Sequence, residues 1–383
     1  MFDTIKIIFF LSFTTFNIID IIFKNYLLIR PFYEMIKIEE YIKLCNQKAL
    51  KGNKIFKKTN KIKFSIITPI FNKGETLHRY MRSILKQHFK DIEIILIDDH
   101  SSDNSLKVIE EFQNKDERII LLKNFQRKGT LISRNLGVYK SKGDFLLFID
   151  PDDLLSENIL NYFAILIEKY DYDLTRFNLY IGDYDLNLPK IVYHLKNKPL
   201  FGKKIFFHLF FGFGKLLQLD FYLTNKLIKR QLFIRVLNSV NQYFLKQFMI
   251  DCEDGLINFM LYKLSESYYF TRKIGYYYVI TKESITHESV DFKKRLKSNF
   301  LYFRYIIEST KNNNIEKIIA NHIFTHIYSD HNYAIINSLK YVKRDLQLYL
   351  KTINLYLDNE FIPLNTKLIL KYMKNIIIQK IIL

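Results

Sequence analysis

Four short apolar runs alternate with segments of helical periodicity between residues 64 and 167, and that alternation confines the chain to one fold class. FSIIT (64–68), IEIILID (92–98), RIILLK (118–123) and DFLLFI (144–149) are short, apolar and mostly rich in β-branched residues, as strands covered on both faces must be. Between them, Leu77, Tyr80, Met81, Ile84 and Leu85 repeat at helical spacing, as do Leu106, Ile109 and Phe112. A helix is predicted near 130–140, and another after Ser156, its expected cap, with Ile159, Leu160, Phe163, Leu166 and Ile167 inward. Buried strands alternating with helices predict a doubly wound, mostly parallel sheet flanked by helices. Further on, DLTRFNLYIG reads as another strand, 201–250 as aromatic and helical, and 268–280 as one or two strands.

In such a sheet, ligands bind beyond the carboxyl ends of the strands. Two acidic clusters fall there: Asp98 and Asp99 after the second strand, and Asp150, Asp152 and Asp153 after the fourth. Carboxylates so close repel one another and resist leaving water unless they are paired or metal-bound. Asp150-Pro151-Asp152 places two hard oxygen donors on one turn, which suits Mg²⁺ or Mn²⁺ with a diphosphate completing the coordination. A D-x-D triplet alone is a weak signal, since a solvated turn with capping acids reads the same way. Its place at a buried strand end, facing a second acidic cluster, favours the metal.

FSIITPIFNKGETLHRYMRSILKQ, IEIILIDDHSSDNS and SRNLGVYKSKGDFLLFIDPDD together resemble, in order and spacing, the family 2 glycosyltransferases with the GT-A fold. The resemblance is close over about residues 63–183 and looser to about 287. It implies a nucleotide-diphosphate-sugar donor (a UDP-sugar above others), a divalent Mn²⁺ or Mg²⁺ ion, and inversion at the anomeric carbon. By position it gives Thr68, Pro69 and Phe71 to the nucleotide cleft, Phe71 standing where the family often has Tyr. Asp98 and Asp99 would meet the base or ribose, without the sequence saying which does what. Asp150 and Asp152 would be the metal ligands, while Arg134 would steady the acidic loop or a phosphate. DCEDGLINFMLYKL resembles the family's E-D motif, which implies Asp254 as general base and Glu253 as an acceptor contact or a helix N-terminal acid. TNKLIKR and KESITH offer Lys226 and His287 as further phosphate contacts. The acceptor would be a hydroxyl on a glycan, lipid or protein.

Two rival readings use the same acids. An aspartate-dependent phosphatase would employ Asp150 as nucleophile and Asp152 as acid, but it leaves Asp98, Asp99 and TPIFN unexplained. A non-catalytic glycosyltransferase-like binding protein would have no need of intact Asp150, Asp152 and Asp254.

The flanks suggest five regions: a hydrophobic segment 1–30, a Lys-rich stem 31–62, a nucleotide-sugar half 63–183, an acceptor half 184–290 and a helical extension 291–383. Residues 7–23 would span about 26 Å as a helix at roughly 1.5 Å per residue, near a bilayer's hydrocarbon thickness, although Asp20 interrupts them. A membrane anchor is the favoured reading, with a cleaved leader or a packed helix as competitors; without an anchor the chain would be cytoplasmic. Lys367, Lys371 and Lys374 share one face of a C-terminal helix that suits a membrane surface or, more simply, a solvated face. The formal charge of +19 accompanies abundant Lys, Ile, Asn and Phe and no Trp, a coding bias rather than a nucleic-acid surface, and no nucleic-acid module is present. Cys45 and Cys252 fit no metal or redox spacing and are expected as unpaired thiols.

Overall fold

The computed structural model describes residues 64–182, 190–192, 199–211, 222–250 and 252–280, together with isolated helical residues at 298, 301, 302, 304–306, 308–310, 354, 371 and 374. Residues 1–63, with the expected anchor, stem and Cys45, lie outside the described residues, as do His287 and Lys367. Among the described residues, no helix is long and apolar enough to cross a membrane.

The alternation read from the sequence is present. Strands β1 (Phe64–Ile70), β2 (Ile92–Asp98), β3 (Ile119–Lys123) and β4 (Phe145–Phe148) alternate with helices α1 (Gly74–Leu85), α2 (Ser105–Gln113) and α3 (Thr130–Lys140). They form a parallel block in the order β3-β2-β1-β4. After the short β5 (Leu154–Leu155), helix α4 (Ile159–Lys169) leads to β6 (Leu174–Gly182), then β7 (Lys190–Val192), β8 (Leu200–Phe201) and α5 (Lys204–Phe211). The chain closes with β9 (Lys226–Lys229), α6 (Arg230–Ser239), α7 (Gln242–Leu245), α8 (Glu253–Leu264) and β10 (Ser267–Val279).

Beyond the parallel block the sheet is mixed. The main path is β3-β2-β1-β4-β9-β6-β10-β5, with β7 paired to β6 and β8 to β10 off it, and β9 runs antiparallel to both β4 and β6. The four-residue KLIK is too short and too lysine-rich to announce itself as an inner strand, yet its neighbours bury it. Because β9 is antiparallel to both, β6 runs parallel to β4, and β10 pairs parallel with β6.

Every residue of β1 and β2 is buried, and alternate side chains feed two separate cores. Ile66 and Ile94 face the core under α1, α2 and α4; Ile67 and Ile95 face the one under α3, α6 and α8. Fully burying each such side chain contributes roughly 1.5–3 kcal/mol. Phe148, the last residue of β4, packs its ring 5.1 Å from that of Phe233, directly before the acidic loop. Truncating it to Ala would cost about 3–5 kcal/mol and loosen the base of that loop.

Two local expectations are corrected. Ser156 makes no side-chain cap: α4 starts at Ile159 behind Asn158, which is left-handed at φ 59°. The Ser156 backbone instead donates to the Gly275 carbonyl and accepts from the Gln87 amide at 2.8 Å, tying α4's entry to β10 and α1. Asp153, one of the capping acids of the solvated-turn reading, turns away from that helix toward Tyr276 and Val279 of the sheet.

β10 is one strand rather than two, but its register against β6 shifts twice between Thr271 and Tyr276. Bulges of this kind re-aim the side chains beyond them. The Asn178 amide donates to the Arg272 carbonyl at 3.0 Å, and the strand then delivers Tyr276 to the end of β4.

Candidate active site

The carboxyl ends of β1, β2 and β4 form one rim. Ile70 and Asp98 are register partners, and the Asp99 amide donates to the Ile70 carbonyl at 2.7 Å. Thr68 is buried and its hydroxyl is hydrogen-bonded to that of Tyr80. Burial holds the Tyr80 phenol above its ordinary range, opposed by the Thr68 bond and reinforced by the charge of Asp150. Pro69 lies opposite Ile97 within the strand. Phe71, just past it, carries the guanidinium of Arg127 3.8 Å above its ring centre, with Phe248 5.7 Å from the same group.

Asp98 and Asp99 are both buried but differ in what holds them. Asp99 accepts from the Asn124 amide (2.7 Å) and from the backbone N–H groups of Lys128 and Gly129 (both 2.8 Å). Gly129 sits at φ +88°, a conformation that lets its N–H point at the carboxylate and strains any other residue. Asp98 accepts one long bond, 3.3 Å, from the Ser101 N–H. Asp103 completes this loop, accepting from the N–H groups of Gly74 and Ser105 at 2.9 Å each.

The second acidic loop lies just past β4. Asp150 accepts from Arg134 at 2.8 Å, and Asp152 from the Lys73 ammonium at 2.7 Å. Asp153 is 2% exposed; it accepts from the Tyr276 hydroxyl at 2.6 Å and from the Val279 N–H at 2.9 Å. The same Tyr276 hydroxyl accepts from the Asp150 N–H at 3.2 Å. Helix α1 adds two ties, Thr76 donating to the Pro151 carbonyl at 2.8 Å and Arg79 to that of Asp152 at 3.3 Å. Burial, with the charges of Asp152 and Asp150, pushes the Asp153 carboxyl well above its usual range. Asp150 is also raised, by burial first; Arg134 opposes this, while Asp152 and Asp254 add to it.

Arg134, on α3, joins this loop to a third segment. Its side chain is 5% exposed, and its two terminal nitrogens donate to different acids, Asp150 and Asp254. Burial alone would weaken its hold on the proton, but Asp254, Asp150 and Glu253 raise it further above an already high value, so it stays charged. Asp254 lies in the first turn of α8 and also accepts from the Leu223 N–H at 2.9 Å. Glu253 precedes it in that turn, behind Cys252, which is left-handed at φ 63°. Two acids at a helix N-terminus complement its dipole.

Lys226 is fully buried, and its ammonium donates to the Tyr222 carbonyl and to Asn225 Oδ1. Two groups at the rim were missed in the sequence. Lys73 sits 79 residues from Asp152, and Tyr276 lies 123 residues from Asp153. The NKGE stretch carried no charge pattern that singles Lys73 out, and Tyr276 is one tyrosine in a run of three.

The donor set suits a hard divalent cation. Asp150 and Asp152 each leave one carboxylate oxygen without a hydrogen bond from a described residue. Among the described residues, no group of three or more His, Cys, Asp or Glu side chains gathers around one point. Two carboxylates with the remaining positions left to phosphates and water is how Mg²⁺-type sites at nucleotides are usually built.

Known proteins resemble this chain in sequence and in fold. Residues 65–237 match the sequence family described as Glycosyl transferase family 2. The chain is 34% identical to glycosyltransferase GlyG of Streptococcus pneumoniae over 119 residues, which is 31% of this chain and 40% of that protein. It is 32% identical to the cholesterol galactosyltransferase of Borreliella burgdorferi over 190 residues, 48% of this chain and 52% of the relative. With the poly(ribitol-phosphate) β-N-acetylglucosaminyltransferase TarP of Staphylococcus aureus it shares 30% identity over 243 residues, 60% of this chain and 66% of TarP. The chain thus spans about half the length of GlyG and the galactosyltransferase. The crystal structure of S. aureus TarS 1–349 with UDP-GlcNAc superposes with a TM-score of 0.62 at 18% identity, covering 83% of this chain and 89% of that one. The shared fold, the matched segment and these relatives make residues 65–237 a family 2 glycosyltransferase domain of the GT-A type.

Proposed function

We propose that the protein is an inverting glycosyltransferase that moves a sugar from a UDP-sugar to an acceptor hydroxyl on a glycan, lipid or protein. One observation carries the reading: Arg134 holds Asp150 and Asp254 on a single guanidinium, so an acid suited to the donor's diphosphate and an acid suited to the acceptor's proton share one site. TarP is named an N-acetylglucosaminyltransferase, and TarS crystals contain UDP-GlcNAc, which supports a UDP-linked hexose or N-acetylhexosamine as donor.

The nucleoside lies along the ends of β1 and β2, between Phe71 and Asp98. Of the acid pair, Asp98 is the one that meets the base or ribose, since Asp99 is already committed to the 124–129 loop. Asp150 and Asp152 hold Mn²⁺ or Mg²⁺, which when bound offsets charge growing on the leaving diphosphate, an effect worth several kcal/mol. Asp254 accepts the proton of the attacking hydroxyl. Its two present partners, Arg134 and the Leu223 N–H, fix its orientation, and 22% of its side chain remains open to an acceptor. Glu253, next to it, contacts the acceptor. Arg134 keeps its charge throughout and limits the repulsion between the two acids it bridges.

The test is release of UDP from a panel of UDP-sugars by the full chain, with Mn²⁺ and with EDTA. Acceptor-dependent release that Mn²⁺ supports and Asp152→Ala abolishes is the expected result. Full turnover by Asp152→Ala, or in EDTA, would remove the metal from the reading. Transfer with retained anomeric configuration would remove the single-displacement chemistry assigned to Asp254.

A further inference from the structure

The acidic loop after β4 already contains a cation of its own. Lys73 lies at the start of α1, and its ammonium is 2.7 Å from Asp152 Oδ2, both side chains being 18% exposed. The root of the residue is fixed, since its N–H donates to Ser105 Oγ at 2.8 Å, whereas the four-carbon stem beyond Cα can swing. Asp150, by contrast, is met by Arg134, which is 5% exposed and pinned by a second carboxylate. One counter-ion is therefore built in, and the other lies nearer solvent.

A divalent ion entering this loop would compete with the lysine for the same carboxylate. An ion of charge +2 on the other oxygen of Asp152 would repel the ammonium a few ångströms away and weaken its hold on the carboxylate, the more so where water is scarce. The ion brings anionic phosphate oxygens to the same spot, within reach of a lysine whose root stays fixed. We propose that Lys73 is an exchangeable counter-ion, neutralising Asp152 in the ligand-free protein and passing to the donor's diphosphate when a divalent cation takes its place. The second half of this exchange rests on the function proposed above; the first half needs only the ion.

The two halves predict opposite changes in one variant, which a purely structural ion pair would not produce. Lys73→Met keeps the stem and removes the charge. Titrating MnCl₂ alone into the full chain, monitored by electron paramagnetic resonance of free Mn²⁺, should show Lys73→Met binding the ion about three- to tenfold more tightly than wild type, a competitor having been removed. Titrating UDP at saturating Mn²⁺ should show it binding about tenfold more weakly, one charge-assisted contact having been lost. Lys73→Arg should recover most of the UDP affinity, and thermal unfolding of both variants confirms that they fold. Unchanged or weaker Mn²⁺ binding by Lys73→Met overturns the exchange, as does absence of Mn²⁺ binding by the wild type. If the wild type binds Mn²⁺ but not UDP, the proposed function fails. If it binds UDP and Lys73→Met binds it equally well, the phosphate role of Lys73 fails alone.

Discussion

The loops at the tips of β2 and β4 carry three aspartates each, and the two sets are held by different kinds of partner. Asp98, Asp99 and Asp103 accept mainly from backbone N–H groups, those of Ser101, Lys128, Gly129, Gly74 and Ser105. Asp150 and Asp152 accept from the side-chain cations Arg134 and Lys73, and Asp153 from a phenol and one N–H. Backbone dipoles cannot leave without unfolding the loop, whereas a lysine can. The first loop is therefore a fixed surface, fit to recognise an invariant part of a ligand. The second suits a place where charge enters and departs. Asp103 lies below the ordinary carboxylate range because its hydrogen bonds together outweigh burial, while burial and neighbouring carboxylates lift Asp150 and Asp153 above it against the pull of their own partners.

The contrast is broken most severely where chemistry is proposed. Asp254→Asn should lower turnover by about 10²–10⁴-fold while leaving the unfolding midpoint close to wild type, read by steady-state UDP release and thermal melting. A loss of stability in place of activity would move Asp254 into the group of structural acids. Next in size, Asp99→Ala strands three donors, two of them backbone, and should cost about 2–4 kcal/mol in urea unfolding. Asp153→Asn should cost only about 1 kcal/mol, since a neutral amide can still accept from Tyr276 or Val279 and relieves repulsion from Asp150 and Asp152. Equal losses in the two variants would show that both loops depend on charge in the same way.

The smallest effect concerns acid. Burial works to raise the Asp103 carboxyl, but the bonds from Ser105 and Gly74 outweigh it and the net shift is downward. A lowered folded value means the stability it contributes is present above the unfolded carboxyl range and is lost as pH falls through the folded one. Asp103→Asn should therefore lower stability modestly at neutral pH, flatten the acid limb of a stability-versus-pH curve and converge with wild type in acid. A variant curve parallel to wild type at all pH values would deny Asp103 this share.

The parallel block was legible because its signals are local. IEIILID predicts a strand over 92–98, and the structure gives those limits. The position of acids at strand ends came from the same periodicity and the general habit of doubly wound sheets. The partners of those acids were not legible. Lys73 meets Asp152 only because β1 and β4 are neighbours, and Tyr276 meets Asp153 only because the bulged β10 arrives beside the loop from the far half of the chain. Nor could sequence divide Asp98 from Asp99, since the division depends on a loop folding back to offer the N–H groups of Lys128 and Gly129. Ser156 misled as a cap because a serine before an apolar run has the right chemistry, while the left-handed Asn158 sets the helix start.

Tyr276 has an implication for where this chain can be cut. The stretch common to the wider family ends at 237, yet the hydroxyl that seats the Asp-Pro-Asp-Asp corner comes from 39 positions later, on a strand threaded past Phe177 at a glycine, Gly275, whose added methyl would sit 2.6 Å from that ring. A fragment trimmed to the shared stretch would bury Asp153 with neither of its donors. For crystallisation or for grafting onto another scaffold, the smallest sound unit extends at least through Val279.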